Sequence, residues 1–191
     1  MIIAGLLVAG YLFGSIPFGL IIAKIYQINL RDIGSGNPGA TNMFRAAGWV
    51  PGSVVLILDA LKAFIPTYMA MTLLPQASIH ILVGLTTIIG HSFPIFAKFK
   101  GGKGAASGLG ILLALSPIIF CILFITAFLI IYITRYVSVA TLAACILAPA
   151  LFYVFNLPPA YTVFVSIISI LIIYRHKSNI KRLMSGTENK I

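Results

Sequence analysis

The sequence predicts an all-α integral membrane protein of seven transmembrane helices. Three observations carry that expectation: an apolar excess, a shortage of charge, and long apolar runs joined by short polar connections. Of 191 residues, 60% are hydrophobic and 8% charged, whereas a soluble domain is typically about 25% charged. The mean hydropathy is +1.09. A chain with so little polar surface cannot cover itself against water, so lipid is its solvent.

A spanning helix needs ~20 mostly apolar residues. Seven segments qualify as candidates, at roughly 2–23, 52–74, 79–97, 104–115, 117–134, 137–155 and 160–174. The first lacks a basic leader and an A-x-A-like cleavage site, and its apolar run exceeds a signal-peptide core, so it reads as a retained span. Within it "GSIPFG" (14–19) places Pro17 where a kink is expected, and Gly10 and Gly14 favour close helix packing. The second holds Asp59 and Lys62, three apart and therefore on one helix face, as a structural ion pair or part of a cavity. The third opens near His80, read as structural, and ends at His91 and Pro94. The fourth, "GAASGLGILLAL", is too short to cross a ~30 Å core alone. Either the glycine loop before it dips into the membrane or the bilayer is thin there. The fifth and sixth contain Cys121 and Cys145, which lack a CxxC partner or a nearby His and read as small buried hydrophobes. The seventh leads into a basic tail.

Lysine and arginine set the orientation. Lys24, Arg31 and Arg45 flank one loop, Lys98, Lys100 and Lys103 a second, Arg135 a third, and Arg175, Lys177, Lys181, Arg182 and Lys190 lie in the tail. The opposite connections, 75–78, 116–117 and 156–159, carry none. The positive-inside rule then places the N-terminus outside and the C-terminus in the cytoplasm. The polar, glycine-rich stretches collect on the cytoplasmic face, as re-entrant or interfacial loops. The formal charge of +10 suits anionic lipid and anionic ligands. No aromatic-basic module for nucleic acid is visible, and no His, Cys or carboxylate set suggests a metal.

Three polar stretches carry candidate chemistry. "RDIGSGNPGATNMFR" (31–45) has the G-x-G-x-x-G spacing but no strand before it, so a dinucleotide fingerprint does not apply. Its glycines permit φ > 0 and anion-binding concavities, Ser35, Asn37, Thr41 and Asn42 add short polar groups, and Arg45 adds a planar fork; the plain alternative is a turn with an interfacial arginine. "GHSFPIFAKFKGGKGAAS" (90–107) is not a P-loop, yet Gly101, Gly102 and Gly104 around Lys103 offer amides and an ammonium to phosphate, with a helix N-terminus at about residue 104. Its lysines also serve as topology signals, and Gly104 with Gly108 forms a G-x-x-x-G helix-packing pair. In "YRHKSNIKRLMSGTE" (174–188), His176 and Asn179 share a helix face, which a basic lipid anchor alone does not explain.

Taken together, "GSGNPGATNMFR", "GHSFPIFAKFKGGKGAAS" and "RHKSNIKRLMSGTE", with "GSIPFG" and "RYVS" between, resemble the acyl-phosphate-dependent glycerol-3-phosphate acyltransferases of bacterial membranes. The likeness runs from about residue 10 to residue 188, with the motifs in order. Ala105-Ala106 stands where the family pattern suggests valine first. The resemblance implies one domain over 1–191, in the bacterial inner membrane with its site facing the cytoplasm. It implies acyl transfer from acyl-phosphate to the 1-hydroxyl of glycerol 3-phosphate, giving lysophosphatidic acid and phosphate without cofactor or metal. It implies catalytic roles for Ser35, Arg45, His176 and Asn179. Substrate binding falls to Gly36, Asn37, Thr41, Asn42, His91, Lys100, Gly101, Gly102, Lys103, Gly104, Ser107, Ser138, Lys177 and Glu188. Contact with the soluble enzyme that makes acyl-phosphate is a further expectation. The base that takes the hydroxyl proton stays open among His176, His91 and a substrate phosphate oxygen. Two other readings exist. An anion channel requires polar residues through the outer half, where only Gln76, Ser78, His80 and Asn156 are found. A phosphatidyltransferase requires an aspartate-rich metal motif, and the chain has three acidic residues.

Overall fold

A computed structural model describes all 191 residues, which form ten α-helices and one 3-10 turn. Five helices, the first of them broken, are long and apolar enough to cross a membrane, and a bent pair at the C-terminus makes a sixth. The chain divides into two compact units, Met1–Leu115 and Ser116–Ile191.

In the first unit, α1 (Ile2–Gly14) and α2 (Phe18–Ile25) together make one broken span. The break falls at Pro17, which lacks an N–H and clashes with a preceding helical turn. A polar loop leads to the short α3 (Ala40–Ala47), and α4 (Trp49–Leu73) follows after Gly48, whose φ of 88° suits glycine. Pro66 inside α4 removes a backbone bond; beside it Thr67 donates its hydroxyl to the Ala63 carbonyl at 2.8 Å. α5 (Ala77–Ser92) stops before Pro94, as the residue preceding proline avoids helical geometry. A 3-10 turn (Ile95–Ala97) and two left-handed residues, Lys98 and Phe99, reverse the chain towards α6 (Ala105–Leu115). At 11 residues, α6 rises only about 16 Å, which is the short segment the sequence announces.

Glycine sets the helix spacing. A Cβ on Gly14 would lie 2.8 Å from the Cα of Thr87, and one on Gly90 would lie 2.9 Å from the Ser15 nitrogen, so α1 and α5 meet backbone to backbone. A Cβ on Gly110 would run into the Ala60 carbonyl, which brings α6 equally close to α4. The expected Gly104/Gly108 helix pair is corrected here. Gly104 precedes α6 with φ of 90°, and its carbonyl accepts the Gly108 N–H at 2.7 Å, so it starts the helix rather than packing within it.

In the second unit, α7 (Pro117–Thr134) begins at Ser116, whose Oγ accepts the Ile119 N–H at 3.4 Å, with Pro117 in the first turn. Only 11% of its most apolar window is buried, and Cys121 is exposed there. The left-handed Arg135 turns the chain into α8 (Val137–Val154). α9 (Pro159–Arg175) and α10 (Lys177–Met184) bend by 57° at His176.

Candidate active site

The first polar loop is built around Asn42, which is 1% exposed. Its Nδ2 donates to the Leu30 and Ile33 carbonyls, both at 2.9 Å, and its Oδ1 accepts the Ser35 N–H at 3.1 Å. Asn42 is therefore the frame of the loop, which corrects the expectation that it contacts substrate. Gly34 and Gly36 take left-handed φ values of 58° and 67°, where a side chain is strained. The Gly36 N–H closes a turn onto the Ile33 carbonyl at 3.0 Å. Ser35, Asn37, Thr41 and Arg45 remain half-buried on this frame. Arg31, not singled out from sequence as a site residue, donates from Nη2 to the Lys100 carbonyl at 3.0 Å and joins the first loop to the second.

The second loop is equally self-satisfied. The Gly101 N–H donates to the Ser92 carbonyl at 3.2 Å and the Gly102 N–H to the His91 carbonyl at 3.1 Å. The reading in which these amides reach a phosphate is corrected: they already have acceptors, as does that of Gly36. The glycines are there for closeness. A Cβ on Gly102 would strike the His91 ring, lying 2.8 Å from its Cε1, and one on Gly101 would lie 2.8 Å from the Ser92 carbonyl oxygen. Other donors in this region belong to side chains and to the first turn of α6, where helix amides lack intrahelical acceptors. Lys103 is half-buried and Lys100 exposed. Ser107 is fully buried and donates to the main-chain oxygen of Asp59 at 3.1 Å, so it docks α6 on α4.

Under this loop, Asp59 and Lys62 pair at 2.7 Å, and His91 Nδ1 lies 3.8 Å from the same Asp59 oxygen. All three line a small, partly open pocket with Pro17, Pro38, Lys100 and Gly102 among its other walls. Of the two readings left open by sequence, the pair is thus both an ion pair and a cavity wall.

In the second unit, Glu188 is 7% exposed and accepts three groups: Ser138 Oγ at 3.1 Å, Asn179 Nδ2 at 2.7 Å and Arg182 Nε at 2.7 Å. Burial alone would push its carboxyl pKa up. The hydrogen bonds from Asn179, Arg182 and Ser138, with the charge of Arg182, outweigh that and hold it below the usual carboxylate range. This cluster closes on itself, with Arg182 a member that sequence reasoning missed. The Ile191 N–H donates to the Arg135 carbonyl at 3.1 Å, pinning the tail to the α7–α8 turn. At the α9–α10 bend, His176 is buried and its Nδ1 lies 2.7 Å from the Ile172 carbonyl. A carbonyl only accepts, so Nδ1 carries a proton. Lys177 is exposed with its ammonium 5.0 Å from the Tyr174 ring centre.

The profile of the glycerol-3-phosphate acyltransferase family matches residues 4–186. The chain belongs to that family. It is 45% identical over 186 residues to the glycerol-3-phosphate acyltransferase of Fusobacterium nucleatum subsp. nucleatum, covering 96% of this chain and 95% of that one. It is 42% identical to the Bacillus subtilis enzyme of the same name, covering 100% and 98%. The structure superposes on the crystal structure of PlsY (YgiH), an integral membrane glycerol 3-phosphate acyltransferase, in its glycerol 3-phosphate form. The TM-score is 0.96 at 40% identity, covering 100% of this chain and 96% of that one. The lysophosphatidic acid form of PlsY gives 0.93 at 39% identity, with the same coverage. As a member of this family, the chain frames its polar loops with the Asn42 side chain and with the paired Gly36, Gly101 and Gly102 amides. Asp59 and Lys62 were visible in the sequence as charges inside an apolar span, and that signal is the one that leads to the cavity.

Proposed function

We propose that the protein transfers a fatty acyl group from acyl-phosphate to the 1-hydroxyl of glycerol 3-phosphate, giving lysophosphatidic acid and phosphate. Membership of the family carries the acceptor. The donor rests on the resemblance of all three motifs to the acyl-phosphate-dependent branch.

The chemistry fits the residues. Acyl-phosphate is a mixed anhydride and needs no further activation, so the protein's work is to hold two anions and manage charge. Positioning contributes about 7–11 kcal/mol in favourable cases. The glycine loops supply shape, and the charged side chains Arg45 and Lys103 supply the cations, with the first-turn amides of α6 as further donors. We assign the second motif, with Lys100, Lys103 and His91, to glycerol 3-phosphate. Ser35 and Arg45 lie at the reacting centre, with Asn37 and Thr41 beside them. In the step itself, the hydroxyl oxygen bonds to the acyl carbon while the bond from that carbon to the phosphate oxygen breaks. The hydroxyl proton goes to a phosphate oxygen of bound substrate, whose second pKa near about 6 makes it a competent acceptor. His176 and Lys177 orient anionic groups. Asn179 and Ser138 act through Glu188 as positioning residues. No cofactor or metal is required.

The protein works in the bacterial inner membrane as one acyltransferase of seven crossings, N-terminus outside and site facing the cytoplasm, within reach of the soluble enzyme that makes its donor. Purified protein given radiolabelled glycerol 3-phosphate and synthetic acyl-phosphate should form lysophosphatidic acid. Product from acyl-CoA, with none from acyl-phosphate, would reject the donor.

A further inference from the structure

The Asp59–Lys62 pair takes no part in the chemistry above, yet it lies beneath the loop assigned to glycerol 3-phosphate. A buried ion pair is a weak device for stability, because desolvation offsets much of the attraction. Charges inside a span are rare and generally mark function.

What the pair touches defines its role. Lys62 Nζ pairs with Asp59 Oδ1 at 2.7 Å and donates to the Ile16 carbonyl at 2.8 Å. Ile16 sits in the break between α1 and α2, and its carbonyl also accepts the Phe18 N–H at 3.1 Å. The ammonium also lies 5.7 Å from the centre of the Phe18 ring, the first residue of α2. Asp59 faces the other way: its Oδ1 is 3.8 Å from His91 Nδ1, and its main-chain oxygen receives Ser107. His91 in turn fills the space in which Gly102 would carry a side chain and accepts the Gly102 N–H on its carbonyl. The pair thus meets the broken first span through Lys62 and the end of α5 through the Asp59 carboxylate, with the glycine loop resting on His91; α6 docks on the Asp59 main chain.

We propose that Asp59 and Lys62 are positioning residues for the glycine loop. Through His91 they hold the glycine loop so that Lys103 and the first-turn amides of α6 converge on one phosphate. The inference rests on assigning that loop to glycerol 3-phosphate. A pair that served stability alone would be replaceable by apolar residues of similar volume with no change in substrate affinity. A positioning pair would not, since a displacement of about 1 Å can cost roughly 100-fold in rate.

The test is the double variant Asp59→Leu/Lys62→Met, purified in detergent beside the wild-type protein. Its thermal unfolding is recorded, and initial rates are measured with each substrate varied in turn. The expected result is a folded protein whose KM for glycerol 3-phosphate rises about tenfold or more, while the KM for acyl-phosphate moves less than about threefold. A folded variant with both KM values unchanged, or both raised equally, overturns the inference. If that variant does not fold, the neutral near-isosteric pair Asp59→Asn/Lys62→Gln replaces it, with the same selective rise expected and the same results overturning it. Failure of both to fold also overturns it, because the pair then holds the fold rather than the loop. Wild-type protein that forms no lysophosphatidic acid rejects the underlying assignment instead.

Discussion

Arg45 and Gly102 stand for two different ways in which a residue serves this site. In the proposed reaction Arg45 offers a planar fork to an anion, and a hydrogen bond to a charged group is worth about 1.5–3 kcal/mol. Arg45→Ala should therefore lower kcat/KM by roughly 10–100-fold, and Arg45→Lys should recover little, since an ammonium cannot reproduce the fork. Steady-state kinetics with glycerol 3-phosphate check both. Gly102 serves by having no side chain where the His91 ring sits. Gly102→Ala should lower activity and melting temperature together. Adding His91→Ala should restore part of the stability, with a coupling energy of about 0.5–3 kcal/mol. Two independent, additive losses would refute the contact. Glu188 adds a pH dependence. Its folded pKa lies below the usual glutamate value, so its contribution is fully present above that usual value and is lost as pH falls through the folded one. Thermal melts should show wild-type stability falling on that acid limb, while Glu188→Gln is less stable at neutral pH and lacks the limb. The residue types at the site were legible from sequence, because glycine, serine and arginine are conspicuous in an apolar chain. Their duties were less so. Asn42 and Glu188 look like ligand groups in one dimension, and only the folded loops reveal the carbonyls and donors that claim them.

Helices in lipid pack by shape, and glycine decides which pairs touch. Gly110 brings α6 against the Ala60 backbone, so Gly110→Ala must push two main chains apart at a cost of about 1–3 kcal/mol. Gly5, in the same unit, faces open space with nothing within 4 Å, and Gly5→Ala should be neutral or stabilise by about 0.5–1 kcal/mol. Melting temperatures of the two variants in one detergent make the comparison. Sequence marked the element breaks well, since Pro17 and Pro94 act locally through their rings. It misassigned Gly104, because a G-x-x-x-G spacing is the same string whether its first glycine lies inside a helix or begins one.

The all-helical, membrane-embedded character of the whole molecule was the most readable part, as apolar runs act by composition and need no tertiary contact. The orientation makes a labelling prediction. With Cys121 and Cys145 replaced by alanine, Asp32→Cys and Lys98→Cys should react with an impermeant maleimide only from the cytoplasmic side, and Gln76→Cys only from the outside. Asp32 and Lys98 reacting from opposite sides would separate the two loops of the proposed site. The number of crossings was harder to read, because hydropathy registers neither the start of α6 at a left-handed glycine nor the 57° bend at His176.

One helix has a consequence for how this chain can change over generations. α7 buries little beyond Ile119 and Leu123, and hydrocarbon tails do not distinguish leucine from valine or phenylalanine. Most of its letters are therefore interchangeable within the oily alphabet, and a library scrambling them should survive selection nearly intact. The same library applied to α5, which is 56% buried over its span, should leave few survivors.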